Sequence, residues 1–181
     1  MTTLGLIADT HVPQRLKALP PQIFDVFHGV DRILHAGDIN SGRVLDQLSQ
    51  IAPVEAVAGN ADLFKHGLPL TRVIEIEGKR IGLVHGHGGW SQYLRSKVRD
   101  QFGFDEEHYL NIVRQSFGAV DAIVFGHTHR WYHQTRSGVL LINPGPIAPD
   151  YYNTPGPQVG LLHVTAAALE VEFVPLTLVR V

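Results

Sequence analysis

Residues 121–130 read DAIVFGHTHR. Four apolar residues, two of them β-branched, run up to a glycine, and two histidines follow two positions apart. A short apolar run bounded in this way reads as a buried strand, so the two imidazoles fall just past its carboxyl end. The arrangement recurs along the chain. LGLIADTH (4–11) ends on Asp9 and His11, and RILHAGD (32–38) ends on Asp38. VEAVAGN (54–60) ends on Asn60, and RIGLVHGH (80–87) places His85 at its strand end. In α/β sheets ligands collect at the carboxyl ends of parallel strands. Five such ends can therefore meet at one point.

Working outward, the pattern predicts a strand over residues 3–8, then a loop containing Pro13. A helix over 21–28 follows, with Pro21 in its first turn, where a missing N–H does no harm. The second strand leads into a helix over 41–51 whose N-cap is Ser41, and the third strand follows. This alternation implies parallel pairing with right-handed crossovers. RVIEIEGKRIGLVHG (72–86) then reads as a hairpin around residues 77–79. A polar stretch comes next, and DEEHYLNIVRQSF (105–117) is a helix with an acidic first turn. RWYHQTRSGVLLIN (130–143) is a second hairpin, turning at Ser137 and Gly138. NPGPIAPDYYNTPGP (143–157) is a loop, and QVGLLHVTAAALEVEFVPL (158–176) supplies two more strands. One α/β domain over residues 1–181, with more than one sheet, is the expected organisation.

Composition narrows the function classes. With 181 residues, 44% of them apolar and 18% charged, the chain suits a soluble domain with a sizeable core. A net charge of −2 offers no basic footprint for nucleic acid. The absence of cysteine excludes disulfides and thiolate metal sites. No run approaches the roughly 20 apolar residues of a membrane span, and the N-terminus lacks a cationic start or cleavage pattern. A cytoplasmic location is expected. The departure from the ordinary is 11 histidines, several clustered with Gly, Asp and Asn.

Imidazole nitrogen with carboxylate and amide oxygen, and no sulfur, suits Mn, Fe, Ni, Co or Zn better than a calcium cage. Two side chains two apart in an extended segment point the same way, so D-x-H and H-x-H can each serve one cluster. The glycines before Asp38, Asn60 and His127 allow close backbone approach.

Taken in order, D-T-H, G-D, G-N, H-G-H and G-H-T-H resemble the calcineurin-like metallophosphoesterases. The short length and the spacing resemble their small YfcE-type phosphodiesterase branch, which also contains the small retromer subunit. The resemblance implies an αββα sandwich of two facing mixed sheets flanked by helices. It implies two divalent transition-metal ions, manganese first, with nickel, iron, cobalt or zinc as alternatives. One ion would take Asp9, His11, Asp38 and His129; the other would take Asp38, Asn60, His85 and His127. Asp38, Asn60 and His85 would also act in catalysis. The implied reaction is hydrolysis of a phosphodiester by a hydroxide bridging the ions, on a small phosphodiester or nucleotide-like substrate. Alternatives are a phosphomonoesterase or nucleotide pyrophosphatase with the same site, or a non-catalytic protein-binding scaffold. Homo-oligomerisation is left open. One departure concerns the leaving group: many relatives follow the G-N asparagine with a histidine, where this chain has Ala61 and Asp62. His87 is the nearest substitute acid, or else a group that orients His85 or hydrogen-bonds backbone.

Outside these motifs the plain reading holds. His28, His35, His66, His108, His133 and His163 are expected to be packed or solvated, and Arg15, Arg95 and Arg130 to be surface cations. Asn143 is a candidate for shaping the site. Trp131 and Tyr132 either line its entrance or pack in a strand.

Overall fold

The computed structural model describes residues 1–62, 67–148 and 156–177. The first sheet holds β1 (Thr2–Ile7), β2 (Arg32–His35) and β3 (Val54–Ala56) in parallel. β9 (Gln158–Val164) runs antiparallel to β1, and β10 (Leu169–Pro175) runs antiparallel to β9. The order is β10-β9-β1-β2-β3. The second sheet contains the predicted hairpins, β4 (Thr71–Ile76) with β5 (Lys79–Val84) and β7 (Tyr132–Arg136) with β8 (Val139–Asn143). β6 (Ala122–Val124) lies parallel between β5 and β8, giving β4-β5-β6-β8-β7.

Period-two alternation decides which side chains lie between the sheets. Leu4, Leu6 and Leu34 of the first sheet meet Ile74, Ile81, Leu83, Val124 and Ile142 of the second. Each side chain fully buried there contributes roughly 1.5–3 kcal/mol. The intervening residues, Ile7 and Ile33, face outward onto Ile23 of α1 (Gln22–Val26), onto Phe27 just past it, and onto Val44 and Leu48 of α2 (Gly42–Leu48). Gly5 makes this packing tight: a Cβ there would stand 2.9 Å from the Phe27 ring. On the far side, Leu110 and Val113 of α4 (Glu106–Gln115) cover Ile123 and Leu141. Helices thus flank two facing mixed sheets, the αββα sandwich expected.

Two expectations need correction. Ser41 occupies the N-cap position of α2, but its side chain makes no capping bond. The stretch read as merely polar contains α3 (Trp90–Arg99) and a 3-10 turn, Asp100–Phe102. Its apolar residues Trp90, Leu94 and Val98 stay exposed, so no buried stripe announced the helix. α4 begins as expected, with the Asp105 carboxylate accepting from the His108 N–H at 3.2 Å. Residues 149–155 of the long loop lie outside the described residues, as does His66.

Candidate metal centre

Every motif residue singled out in the sequence lies at or just beyond a strand end. Asp9 and His11 follow β1, Asp38 follows β2, Asn60 follows β3, His85 follows β5, and His127 and His129 follow β6. The two sheets bring these ends to the same side of the sandwich. His127 N–H reaches across to Asp9, 3.2 Å from Oδ2 and 3.3 Å from Oδ1. His85 Nδ1–H donates to the Ala36 carbonyl at 2.7 Å.

The local backbone differs from the extended segments expected. Asp9, His11, Asp38, His127 and His129 all have φ between 48° and 69°, the left-handed region where a non-glycine residue costs of order 1–3 kcal/mol. Both members of D-x-H and of H-x-H adopt it, so a repeated left-handed turn, not a pleat, aims each pair. Backbone bonds from Asp9 N–H to Gly37 O (3.0 Å) and from His11 N–H to Asp38 O (2.9 Å) hold the first turn against the second.

Two groups of potential ligand atoms result, each lying within 4.8 Å: Asp9, His11 and His129, and Asp9, Asp38 and His85. His11 Nε2 and His129 Nε2 are 3.3 Å apart. The carboxylate of Asp38 is divided between the two sides, Oδ2 at 3.5 Å from His11 Nε2 and Oδ1 at 3.4 Å from His85 Nε2. Asn60 Oδ1 is 3.1 Å from His85 Nε2, and the His127 ring centroid is 5.1 Å from that of His85. The donor set fits divalent cations. The Ala36 carbonyl holds the His85 Nδ1–H and so turns Nε2 toward the Asp38 and Asn60 oxygens, the outer-shell arrangement that orients a ligating imidazole.

The electrostatics follow from burial and pairing. Burial raises the Asp9 carboxyl, but His129 and then His85 outweigh it, and the net direction is down. Burial likewise opposes ionisation of Asp38, and the charge and hydrogen bond of His85 with the Ala61 N–H at 2.8 Å pull it down. Burial disfavours the His85 imidazolium, yet Asp38 and Asp9 lift it to about 9. A proton therefore occupies His85 near neutrality when no cation competes for it. His127 moves the opposite way, to about 3, through burial and the neighbouring His85 charge.

A residue passed over in the sequence supports this cluster. Asp62 is buried, and its carboxylate accepts from Ile39 N–H (3.0 Å), Asn40 N–H (2.7 Å) and Gly59 N–H (3.0 Å). It fastens the Asp38 loop to the Asn60 loop. Gly59 completes the join, since a Cβ there would stand 2.1 Å from Asp38 Oδ1. No spacing rule pointed to Asp62, because what it binds are backbone amides of two loops.

The remaining expectations divide. Asn143 does shape the site: its amide donates to Gly126 O at 2.9 Å and Thr128 Oγ1 at 3.1 Å, while its oxygen accepts from Gly145 N–H at 2.8 Å. His87 is buried with neither ring nitrogen hydrogen-bonded, and the Ala36 carbonyl, not His87, orients His85. Burial keeps His87 near 4. His35 packs as expected, accepting from Gly37 N–H and contacting the Thr10 hydroxyl, each at 3.2 Å. His108 and His163 pair with Ser96 and Thr3. Tyr132 packs on Phe125 and Trp131 on Phe173. Arg15 and Arg130 are more than solvated cations: both line a cavity of about 440 Å³ over the cluster, and Arg95 does not.

A facing-sheet sandwich that gathers buried carboxylates and imidazoles at its strand ends is the framework of a metal-dependent phosphoesterase. Residues 2–167 match the Calcineurin-like phosphoesterase superfamily domain, and the chain belongs to that family. It is 36% identical over 176 residues to a probable metallophosphoesterase of Methanothermobacter thermautotrophicus, covering 94% of this chain and 91% of that protein. A phosphodiesterase of Methanocaldococcus jannaschii is 25% identical over 171 residues, covering 88% and 91%. Among solved structures, zinc-complexed Vps29 of Entamoeba histolytica is similar, at 27% identity and a TM-score of 0.72, covering 96% of this chain and 98% of that one. No helix among the described residues is long and apolar enough to cross a membrane.

Proposed function

We propose that this protein hydrolyses phosphodiester bonds of small organic or nucleotide-like substrates with two divalent transition-metal ions, manganese first. Asp9, His11, Asp38 and His129 hold one ion, and Asp38, Asn60, His85 and His127 hold the other. When bound, such ions would supply positive charge to the phosphoryl oxygens and lower the pKa of an attacking water toward about 7.

The observation that carries this reading is the division of one carboxylate, with Asp38 Oδ2 facing His11 and Oδ1 facing His85. A side chain so placed serves both sides at once. Ala61 N–H steadies it at 2.8 Å, and Asp62 holds the loop beneath. His85 and Asn60 present a nitrogen and an oxygen from preset orientations, so little reorganisation is needed as charge develops. Burial of Asp9, Asp38 and His85 strengthens each of these interactions relative to water. No protein nucleophile is required. The likeness to a phosphodiesterase of M. jannaschii supports the diester over a monoester or pyrophosphate.

A second reading, a protein-binding scaffold on this fold, draws support from the likeness to Vps29 and from the exposed Trp90, Leu94 and Val98. Against it, all seven motif positions carry metal-competent side chains.

The test is metal removal followed by readdition of each candidate ion, assayed on bis(p-nitrophenyl) phosphate and p-nitrophenyl phosphate. Chelation abolishes turnover, readdition restores it, and the diester is preferred. Full activity in rigorously metal-free protein, or preference for the monoester, overturns the proposal. A protein inert with every ion yet holding metal tightly would favour the scaffold.

A further inference from the structure

The cavity over the cluster, about 440 Å³, falls within the range of about 300–1,000 Å³ for pockets that hold whole organic ligands. It extends well past the reacting centre. Its outer wall comes from the segment that carried no legible pattern, with Tyr93 and Lys97 one turn apart on α3, then Asp100 and Phe104.

Three cations converge on this rim. Lys97 Nζ stands 5.5 Å from the centroid of the Tyr93 ring, and the Arg130 guanidinium carbon stands 4.3 Å from that of Phe104. Arg15 Nη1 lies 3.4 Å from His129 Nδ1. None of the three has a carboxylate within 4.0 Å among the described residues. Away from the cavity, Arg32, Arg72, Lys79, Arg80, Arg99 and Arg136 each have one, whereas Lys17, Arg43, Arg95 and Arg114 have none among the described residues. What sets the rim cations apart is therefore their convergence on one cavity. Aromatic faces position a cation without neutralising it. Among the described residues one acid shares this outer wall, Asp100, whose Oδ2 is engaged by the Tyr109 hydroxyl at 2.6 Å, while Asp38 lies on the cavity floor. Among the described residues, three cations against one carboxylate give the rim a charge of about +2.

A simple phosphodiester is a monoanion, and its one charge sits at the reacting phosphorus. It leaves the rim cations unanswered. We propose that the rim is a subsite for a second, non-reacting phosphoryl group, so that the substrate is an organic phosphodiester bearing a further phosphate. This rests on the phosphodiesterase reading above. Arg130 and Arg15 present planar forks suited to paired phosphate oxygens, and Lys97 presents a point charge.

The test compares two compounds with the same leaving group: thymidine 5′-(p-nitrophenyl phosphate) and its 3′-phosphorylated derivative. The added phosphate lowers KM by about tenfold at low salt, and the advantage shrinks as salt rises. In the double variant Lys97→Ala, Arg130→Ala the ratio of the two KM values falls toward unity. In Arg95→Ala, on the same helix but outside the cavity, the ratio is kept. Equal KM values in the unaltered protein, or a preference that survives the double variant, overturn the subsite. Should neither compound turn over with any metal, the phosphodiesterase reading fails and the subsite is judged by calorimetry. It then stands if the 3′-phosphorylated compound binds about tenfold tighter than its parent and the double variant loses that difference; equal binding overturns it.

Discussion

Replacing Asp62 with asparagine tests whether the candidate centre depends on a residue that touches none of the proposed ligand side chains. The carboxylate shares its two oxygens among three buried N–H groups, Ile39, Asn40 and Gly59. Asparagine fills the same space but keeps one acceptor. With that oxygen turned toward Ile39 and Asn40, its NH₂ faces the Gly59 N–H, donor against donor. Loss of one bond to a charged group costs about 1.5–3 kcal/mol and an unpartnered buried amide about 1–3, overlapping terms of about 3 kcal/mol together. For a domain of this size each kcal/mol lowers Tm by roughly 2–4 °C, so the expected drop is roughly 6–12 °C in metal-free protein. The second consequence is local. Asp38 at φ 55° and Asn40 at φ 67° lose the anchor that holds their turn, and metal affinity falls by about 10–100-fold, as for loss of an outer-shell partner. Thermal unfolding and a metal titration of the same preparation read both effects. An unchanged Tm with unchanged metal affinity would refute the clamp. A lowered Tm with full affinity would reduce Asp62 to a packing residue.

Asp38→Asn keeps the size of the divided carboxylate and removes its charge. Metal affinity at both positions should fall together, by more than the about 10–100-fold of an outer-shell change, while His163→Ala, whose ring pairs with the Thr3 hydroxyl, leaves metal affinity unaltered. Metal-free protein should lose stability as pH falls from about 6.5 to about 4, because His35 and His87 stay neutral to about 4 and His127 to about 3 when folded, yet protonate near 6.5 when unfolded. Each contributes a slope of up to about 1.4 kcal/mol per pH unit. His85, raised to about 9, contributes fully below about 6.5 and loses its contribution only as pH rises through 9, so it does not cancel this slope. Urea unfolding at about pH 7 and about pH 5 checks the sign. Hydrolysis should depend steeply on leaving-group acidity, since a positioned acid is worth about 10²–10⁴-fold and His87, neutral above about 4 and outside the cavity lining, offers no imidazolium proton. A rate series that is flat, or that steepens in His87→Ala, would show that an acid is present.

The sheets and the motif positions were legible because each rests on a local rule. A strand buried on both faces must be an apolar run, and Leu4 to Ala8 or Ala122 to Phe125 display it without reference to anything distant. A polar residue at a strand end breaks that run conspicuously, which is why Asp9, Asp38, Asn60, His85, His127 and His129 stood out. The hairpins turned at Gly78 and Gly138, where φ is 76° and 80°, as their residues required. α3 was illegible for the converse reason: its apolar residues point to solvent and its useful face carries Tyr93 and Lys97, so periodicity had no core to report.

What sequence alone determined, then, was the list of chemical groups and the strand that delivers each. Tertiary structure decided their geometry. Only the packing of two sheets brings His127 N–H onto Asp9 and the Ala36 carbonyl onto His85, across separations of 118 and 49 residues. The left-handed turn at Asp9 and His11 is unfavourable locally and persists because backbone bonds to Gly37 and Asp38 hold it, in a loop that the Asp62 carboxylate anchors. Asp62, Arg15 and the rim cations have roles set by neighbours far along the chain. Such roles are through-space properties, and no local pattern encodes them.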